Sequence, residues 1–453
     1  MRKSARCDWL PEMHPAVAQF ARKHGFALTL LAILALYGCQ AHARRQLMAT
    51  PASLGDQGAY LGYAKQMYDS NYAVVGDRNR MPVFPFLLSL IYRPGEPEEE
   101  FLRRAQVLNV NLSIGLLLVL VLIFRKFFSP LYAVALLAAT AFGVFVYRAP
   151  NAQVEVLFYT VSFCAFVLFW RMLVAPRWWL AILCGLTMGL SHLTKASLLP
   201  ALGVWVVIFV GQSLWSLRPP SGRRWSSLGR RIGMLLLVLA TFLAVVFPYI
   251  HNSKRIYGQY FYNVNSAFVM WTDSSQEGFN FLLEWGDKDT WRALPPEQLP
   301  SAAKYWREHS LKQIAYRIGH GLRALATQNA MAIGYYKFVV ALALAAAILC
   351  ARHGQRARRL LAEQPFAALF CILFVALYLI LYGWYDMIVN DTRFILSIFL
   401  PFIFAASIFV LAVGKDRVVA IAGRRFAFPQ FFAGLLLALA AIDVLYNAAR
   451  AFI

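Results

Sequence analysis

The sequence predicts an all-α polytopic membrane protein, and three observations carry that reading. Hydrophobic residues make up 60% of the 453 and charged residues only 15%, with a mean hydropathy of +0.55, far from the mix of a soluble domain. Eleven segments approach the roughly 20 apolar residues that a spanning helix needs. Lys and Arg gather in alternate connections, as positive-inside topology requires.

In chain order the apolar segments are Gly25–Gln40, Gln106–Phe124, Leu131–Tyr147, Val154–Trp170, Trp178–Leu190, Ala196–Trp215, Ile232–Ile250, Lys337–Cys350, Pro365–Tyr385, Phe394–Val413 and Phe428–Tyr446. The first and eighth are the weakest spans, each being short. One side collects Arg2, Lys3, Arg6, Arg22 and Lys23, then Arg125 and Lys126, Arg171 and Arg177, the runs RPPSGRRWSSLGRR and ARHGQRARR, and Lys415, Arg417, Arg424 and Arg425. That side is cytoplasmic. Residues 1–24 then form a cytoplasmic segment and 25–250 a transmembrane core whose first outer loop is 41–104. Residues 251–336 form an outer loop with amphipathic helices, and 337–453 the last transmembrane helices. Much of the net charge of +22 is topological, so a nucleic-acid partner is set aside. The six cysteines form no CxxC pair and read as small hydrophobes. No cleavable signal peptide is evident.

Ionisable residues avoid every span midsection and stand at the outward ends, as Glu155, Lys195, Lys337, Asp386, Asp391, Arg393 and Asp443. A charge at mid-bilayer costs about 2.5–3.5 kcal/mol even on insertion scales, so ion-coupled carriers that need one place it there. The functional site is expected at the outer membrane face.

The first outer loop contains SLGDQGAYLGYAKQMYDSNYAVVGDRNRMPVFPF (Ser53 to Phe86). Asp56, Tyr60 and Tyr63 share a helical face. The S-x-x-D spacing of Ser53 and Asp56 also fits a helix start, so Asp56 has a capping reading beside a chemical one. Pro82 and Pro85 keep a helix from running through Arg80 and present Arg78 and Arg80 on a rigid aromatic turn, where a solvated basic loop is the plainer alternative. Glu155 follows the turn Arg148-Ala-Pro-Asn-Ala; it either orients a substrate or partners a cation, or merely neutralises Arg148. Lys195 either snorkels to headgroups or serves the site.

In the second outer loop, Leu311, Ile314, Ile318, Leu322 and Leu325 form a helical stripe accompanied by Lys304, Arg307, Lys312, Arg317 and Arg323. Such a helix lies at headgroup level or packs on the protein's own outer face. No HExxH and no close carboxylate pair appears, and His309 and His320 are too far apart for a local metal site. No P-loop or GxGxxG is present.

The order Asp56…Tyr60…Ala64…Arg80-x-Pro82-x-x-Pro85, followed by GLSHLTKASLLP (Gly189 to Pro200), FPYIHNSKRIYGQYF (Phe247 to Phe261) and NDTRFILSIFLP (Asn390 to Pro401), resembles the GT-C superfamily of integral membrane glycosyltransferases. This group includes the lipid A aminoarabinose transferases and the protein O-mannosyltransferases. The chain has no counterpart of the outer carboxyl-terminal domain of those two, and has His251 where the pattern often has Arg. The resemblance implies a GT-C fold of about 11 transmembrane helices with juxtamembrane helices in the first outer loop. It implies transfer, with inversion, of a pentose or hexose from a polyprenyl-phosphate donor to an acceptor hydroxyl on a lipid, glycan or protein such as a pilin. The active site would face the periplasm from a bacterial inner membrane. Asp56 is then expected to be the general base, Glu155 and Tyr60 to orient the acceptor, and Arg80, Lys195, Arg393 and Arg255 to bind the donor phosphate. No metal ligand is assigned, and a divalent cation, used by some of the group, stays open. A carrier or flippase for a polyprenyl-linked glycan is the alternative, disfavoured by the clean midsections; a noncatalytic scaffold is disfavoured by the clustered charges of the first loop.

Overall fold

Away from water a backbone must satisfy its own polar groups, so the apolar segments fold as long helices. The computed structural model describes residues 15–451 apart from 49–50, 53–54, 218–224, 286–293, 296 and 330–333. Arg2, Lys3, Arg6, Cys7, Ser53 and the whole RPPSGRR stretch lie outside the described residues.

Helix α1 (Pro15–Gln46) leads to two loop helices, α2 (Gly55–Asp69) and α3 (Val83–Ser89). There follow α4 (Glu98–Phe127), α5 (Pro130–Thr140), which continues through a π-helical turn toward Arg148, α6 (Glu155–Val174), α7 (Trp178–Thr194), α8 (Leu199–Trp215) and α9 (Trp225–Tyr257). The second long loop carries α10 (Ser275–Trp285) and α11 (Leu311–Ala324). The chain closes with α12 (Tyr336–Glu363), α13 (Pro365–Tyr385), α14 (Phe399–Gly414) and α15 (Phe428–Ala451).

Among the described residues, ten helical stretches are long and apolar enough to cross a membrane, and α7 adds a shorter apolar helix. The first and eighth segments, expected to be weak, extend through their polar flanks into spans of 23 and 28 residues. The short one is α7. It packs closely along α9, because a Cβ on Gly185 would stand 2.6 Å from the Val238 carbonyl oxygen and one on Gly189 2.6 Å from the Val245 side chain. Small residues four apart let two helices approach this closely in a membrane, and the contact fixes the α7 end that bears His192, Thr194 and Lys195.

Two stretches are more regular than expected. The rigid aromatic turn at Pro82 and Pro85 becomes helical from Val83: Pro85 lies in the first turn of α3, where its missing N–H has no helical partner to lose. Arg80 stays outside the helix, as expected. The basic stretch after α14 is not a plain loop but a hairpin, β1 (Val418–Ile421) antiparallel to β2 (Arg424–Ala427). Ala422 and Gly423 both have positive φ, 47° and 74°, which is the type I′ turn that matches strand twist.

The core is aromatic: Phe166 stacks on Phe370 at 5.4 Å and meets Phe374 at 4.9 Å, while Phe169 stacks on Trp205 at 4.9 Å. Some of its polar side chains are paired within it. Trp205 donates to the Phe169 carbonyl at 3.1 Å and Tyr132 to Ser407 at 3.0 Å.

From Ile314 onward the stripe of α11 packs on the protein, chiefly on α13, while Leu311 stays exposed. Gly321 lies so tightly against the backbone of Gly383 that a Cβ there would collide with it. Of the two placements open for this helix, the second holds: Arg317, which accompanies the stripe, is buried. Its guanidinium donates to the carbonyls of Thr272 at 2.8 Å and Trp384 at 3.0 Å and lies 4.3 Å over the Trp384 ring. These carbonyls replace the water it leaves.

Candidate functional site

Where α2, α6, α7 and the start of the Thr392–Gly414 span meet, their ends and the second loop enclose a cavity of about 810 Å³. Asp56, Tyr60, Arg80, Glu155, Lys195 and Arg393 all line it.

Each is held by its own local structure. Asp56 sits in the first turn of α2. The neighbouring Gln57 accepts from the Ala152 backbone N–H at 3.0 Å, which ties α2 to the turn before α6. That turn is gathered by the buried Asn109, whose amide donates to the carbonyls of Ala149, Asn151 and Gln153 at 3.2, 2.7 and 3.2 Å. Glu155 follows as the first residue of α6. Arg80 is placed by Asp77, whose carboxylate accepts from the Asn79 backbone N–H at 2.8 Å, and its guanidinium lies 5.7 Å from the Tyr60 ring centre. Lys195 ends α7 in extended conformation. Arg393 is fixed through its backbone: Asp391 caps its N–H at 2.8 Å and the Tyr159 hydroxyl donates to its carbonyl at 2.7 Å.

The side chains form one charge network. Asp56 receives hydrogen bonds from Arg80 on one oxygen and Arg393 on the other. Lys195 Nζ is 3.3 Å from Glu155 Oε1, and Arg393 Nη1 is 3.9 Å from the same oxygen. Asp391 pairs with Arg393 and Arg148 at 3.2 Å each. Three carboxylates thus face four cations. Burial pushes the Asp56 carboxyl up, but Arg393 and Arg80 outweigh it and hold it below the usual carboxylate range. Burial also pushes the Tyr60 phenol up, so it stays a hydroxyl.

Asp56 stands in the first turn of its helix, as the capping reading asks, but both of its oxygens also accept from arginines. Glu155 does not neutralise Arg148, which is taken by Asp391 and Thr392; its partner is Lys195. The snorkelling reading of Lys195 fails likewise, since its ammonium turns inward to Glu155 and lies 5.3 Å from the Phe394 ring centre. Arg255 is exposed, donates to the Asn252 side chain at 2.8 Å and does not line the cavity, because Ser253 and Tyr257 take the buried face of this last part of α9 while Lys254 and Arg255 face outward. No group of three or more His, Cys, Asp or Glu suited to a metal ion occurs among the described residues.

Several lining residues escaped the sequence reading. Asn79, Asn263 and Asn265 sew the two loops together, with Asn265 donating to the Asn79 side chain at 2.7 Å and Asn263 to its carbonyl at 2.9 Å. The signal was the Asn263–Ser266 run, whose Asn263 caps the short helix Val264–Ala267. His192 and Phe261 also line the cavity.

Fold and site together define a polytopic, helical membrane protein with a charged pocket at the ends of its spans. It is similar to the crystal structure of ArnT from Cupriavidus metallidurans in the apo state, at 17% identity over 88% of this chain and 78% of that one, with a TM-score of 0.37. It is also similar to the structure of that protein bound to undecaprenyl phosphate, at 15% identity over 92% and 88% of the two chains, with a TM-score of 0.33. No protein-family model and no curated protein matches the chain.

Proposed function

We propose that this chain is a polyprenyl-phosphate-sugar-dependent glycosyltransferase of the GT-C type, acting at the outer face of a bacterial inner membrane. The observation that carries the reading is the convergence of Asp56, Glu155, Lys195, Arg80 and Arg393 from four separate stretches of sequence on one cavity at the span ends. A lipid-anchored phosphate reaches that depth while its chain stays in the bilayer.

The chemistry follows from the charges. The acceptor hydroxyl attacks the anomeric carbon with inversion; its O–H proton passes to Asp56, the new C–O bond forms, and the bond from carbon to phosphate oxygen breaks. The lipid phosphate leaves with the electron pair. Arg80, Lys195 and Arg393 stabilise the charge that grows on it, an effect larger in the transition state than in the ground state. Asp56 is gripped by two of those cations before the donor arrives. A phosphate that draws Arg80 and Arg393 toward itself frees the carboxylate to act as general base, so donor binding precedes acceptor activation. Tyr60 and the Glu155 oxygen that has no partner among the described residues orient the acceptor.

Mass spectrometry of surface glycolipids, glycans and secreted proteins from cells with and without this chain tests the reading. The expected result is one pentose or hexose missing from one acceptor class. Identical glycan profiles would contradict it, and loss of a glycan together with accumulation of its polyprenyl-linked precursor on the cytoplasmic side would favour a flippase.

A further inference from the structure

Three residues before Lys195, in the last turn of α7, stands a histidine that the charge network does not use. His192 is 1% exposed and lines the cavity, and neither ring nitrogen has a hydrogen-bond partner among the described residues. Its ring neighbours are aromatic: Phe261 at 5.5 Å and Phe242 at 6.1 Å, both edge-on. Leaving buried polar atoms unpaired is unfavourable, so a group of this kind calls for a partner that the protein itself does not supply. Two residues past Lys195 the Ser197 hydroxyl, which also lines the cavity, is likewise buried and without a partner among the described residues.

A second observation lies opposite. Phe261 holds its ring against His192 with a backbone φ of +47°, a left-handed conformation that is an outlier for a bulky residue. Strain of this kind is kept where surrounding structure enforces it, commonly at ligand sites. Here the enforcement is visible: Ser253 donates to the Gln259 carbonyl at 3.0 Å and accepts from the Tyr262 N–H at 3.3 Å, and Phe261 stacks parallel to Phe242 at 6.4 Å. The loop is bent so that an apolar ring walls a polar, unpartnered imidazole.

We propose that His192 and Ser197 form the subsite that reads the hydroxyl groups of the donor's sugar ring, beside the phosphate held by Lys195. A neutral imidazole offers one donor and one acceptor, and a serine hydroxyl offers both. That set matches neighbouring hydroxyls of an uncharged sugar, which also donate and accept, and offers no fixed charge for a phosphate. The inference rests on the lipid-phosphate-sugar reading above.

Purified full-length protein in nanodiscs, as wild type, His192→Ala and His192→Gln, is titrated with farnesyl phosphate and with farnesyl-phosphate-linked arabinose, glucose, galactose and mannose. Wild type should bind one sugar-bearing probe more tightly than farnesyl phosphate. His192→Ala should lose about tenfold in affinity for that probe, the factor of a lost hydrogen bond left unpaired. It should keep its affinity for farnesyl phosphate, and His192→Gln should recover part of the loss. One single-deoxy analogue should bind wild type and His192→Ala equally. Unchanged sugar-probe affinity in His192→Ala, an equal loss for farnesyl phosphate, or a wild type that does not prefer any sugar-bearing probe overturns the subsite and leaves the phosphate site standing. A wild type that binds no probe overturns both.

Discussion

At the scale of single residues, the central group is Asp56. Replacing it with Asn keeps its size but removes its charge, its capacity to take a proton and one of the two oxygens that accept from Arg80 and Arg393, because the amide nitrogen donates. Purified Asp56→Asn protein should bind donor and transfer about 10²–10⁴-fold more slowly, the usual range for a lost acid–base group; transfer at the wild-type rate would remove it as the base. The same carboxyl has a pH signature. Its folded pKa lies below its unfolded value, so its contribution to stability is complete above the unfolded value of about 3.9 and lost as pH falls through the folded one. The difference in Tm between wild type and Asp56→Asn should therefore be constant near neutral pH and close only below about pH 4. The buried pair behaves differently. Lys195→Met leaves Glu155, which is 1% exposed, with the more distant Arg393 at 3.9 Å, and should cost up to about 3–5 kcal/mol in unfolding experiments, whereas Glu155→Gln with Lys195→Met should regain most of it and still fail to bind lipid phosphate. Asp56, Tyr60 and Arg80 were legible in the sequence because they are close along the chain, on one helix face and before a proline-marked turn. The partner of Glu155 was not, because Arg148 is nearer in sequence while Lys195, 40 positions away, is nearer in space.

At the scale of elements, glycines decide where helices meet. Gly321→Ala places a Cβ into the Gly383 backbone and should destabilise the docking of α11 on α13 by about 1–3 kcal/mol, the usual cost of overpacking. The second loop should then be cleaved faster by added protease, while Gly319→Ala, where a Cβ meets nothing within 4 Å, should leave the rate unchanged. An equal response to both would show that α11 is not packed this way. The amphipathic stripe of α11 was visible as a helical period, but its partner was not: the same period suits a membrane surface or a protein surface. Only the buried Arg317 and the Gly321 contact separate the two. The hairpin after α14 was hidden for a related reason, since a short exposed pair of strands rich in Arg carries no burial pattern.

At the scale of the whole molecule, the helices alternate in direction and bring every ionisable residue of the site to one end. The spans were readable because hydropathy alone dictates them; the lateral order of the helices depends on contacts such as Gly185 with Val238, which no local period announces. Sidedness is tested by labelling intact cells with an impermeant thiol reagent, using single cysteines in a background lacking the six native ones. Glu100→Cys should react and Ser129→Cys should not; the reverse would place the site on the cytoplasmic side. The proposed reaction is sugar transfer from a lipid phosphate at the Asp56 cavity. Its most direct measurement is mass spectrometric detection of free polyprenyl phosphate after purified protein is mixed with polyprenyl-phosphate sugars and a membrane extract that supplies the acceptor. Wild type should release polyprenyl phosphate in step with acceptor glycosylation, and Asp56→Asn should release about 10²–10⁴-fold less. Donor left intact by wild type, or equal release by both proteins, would contradict the account.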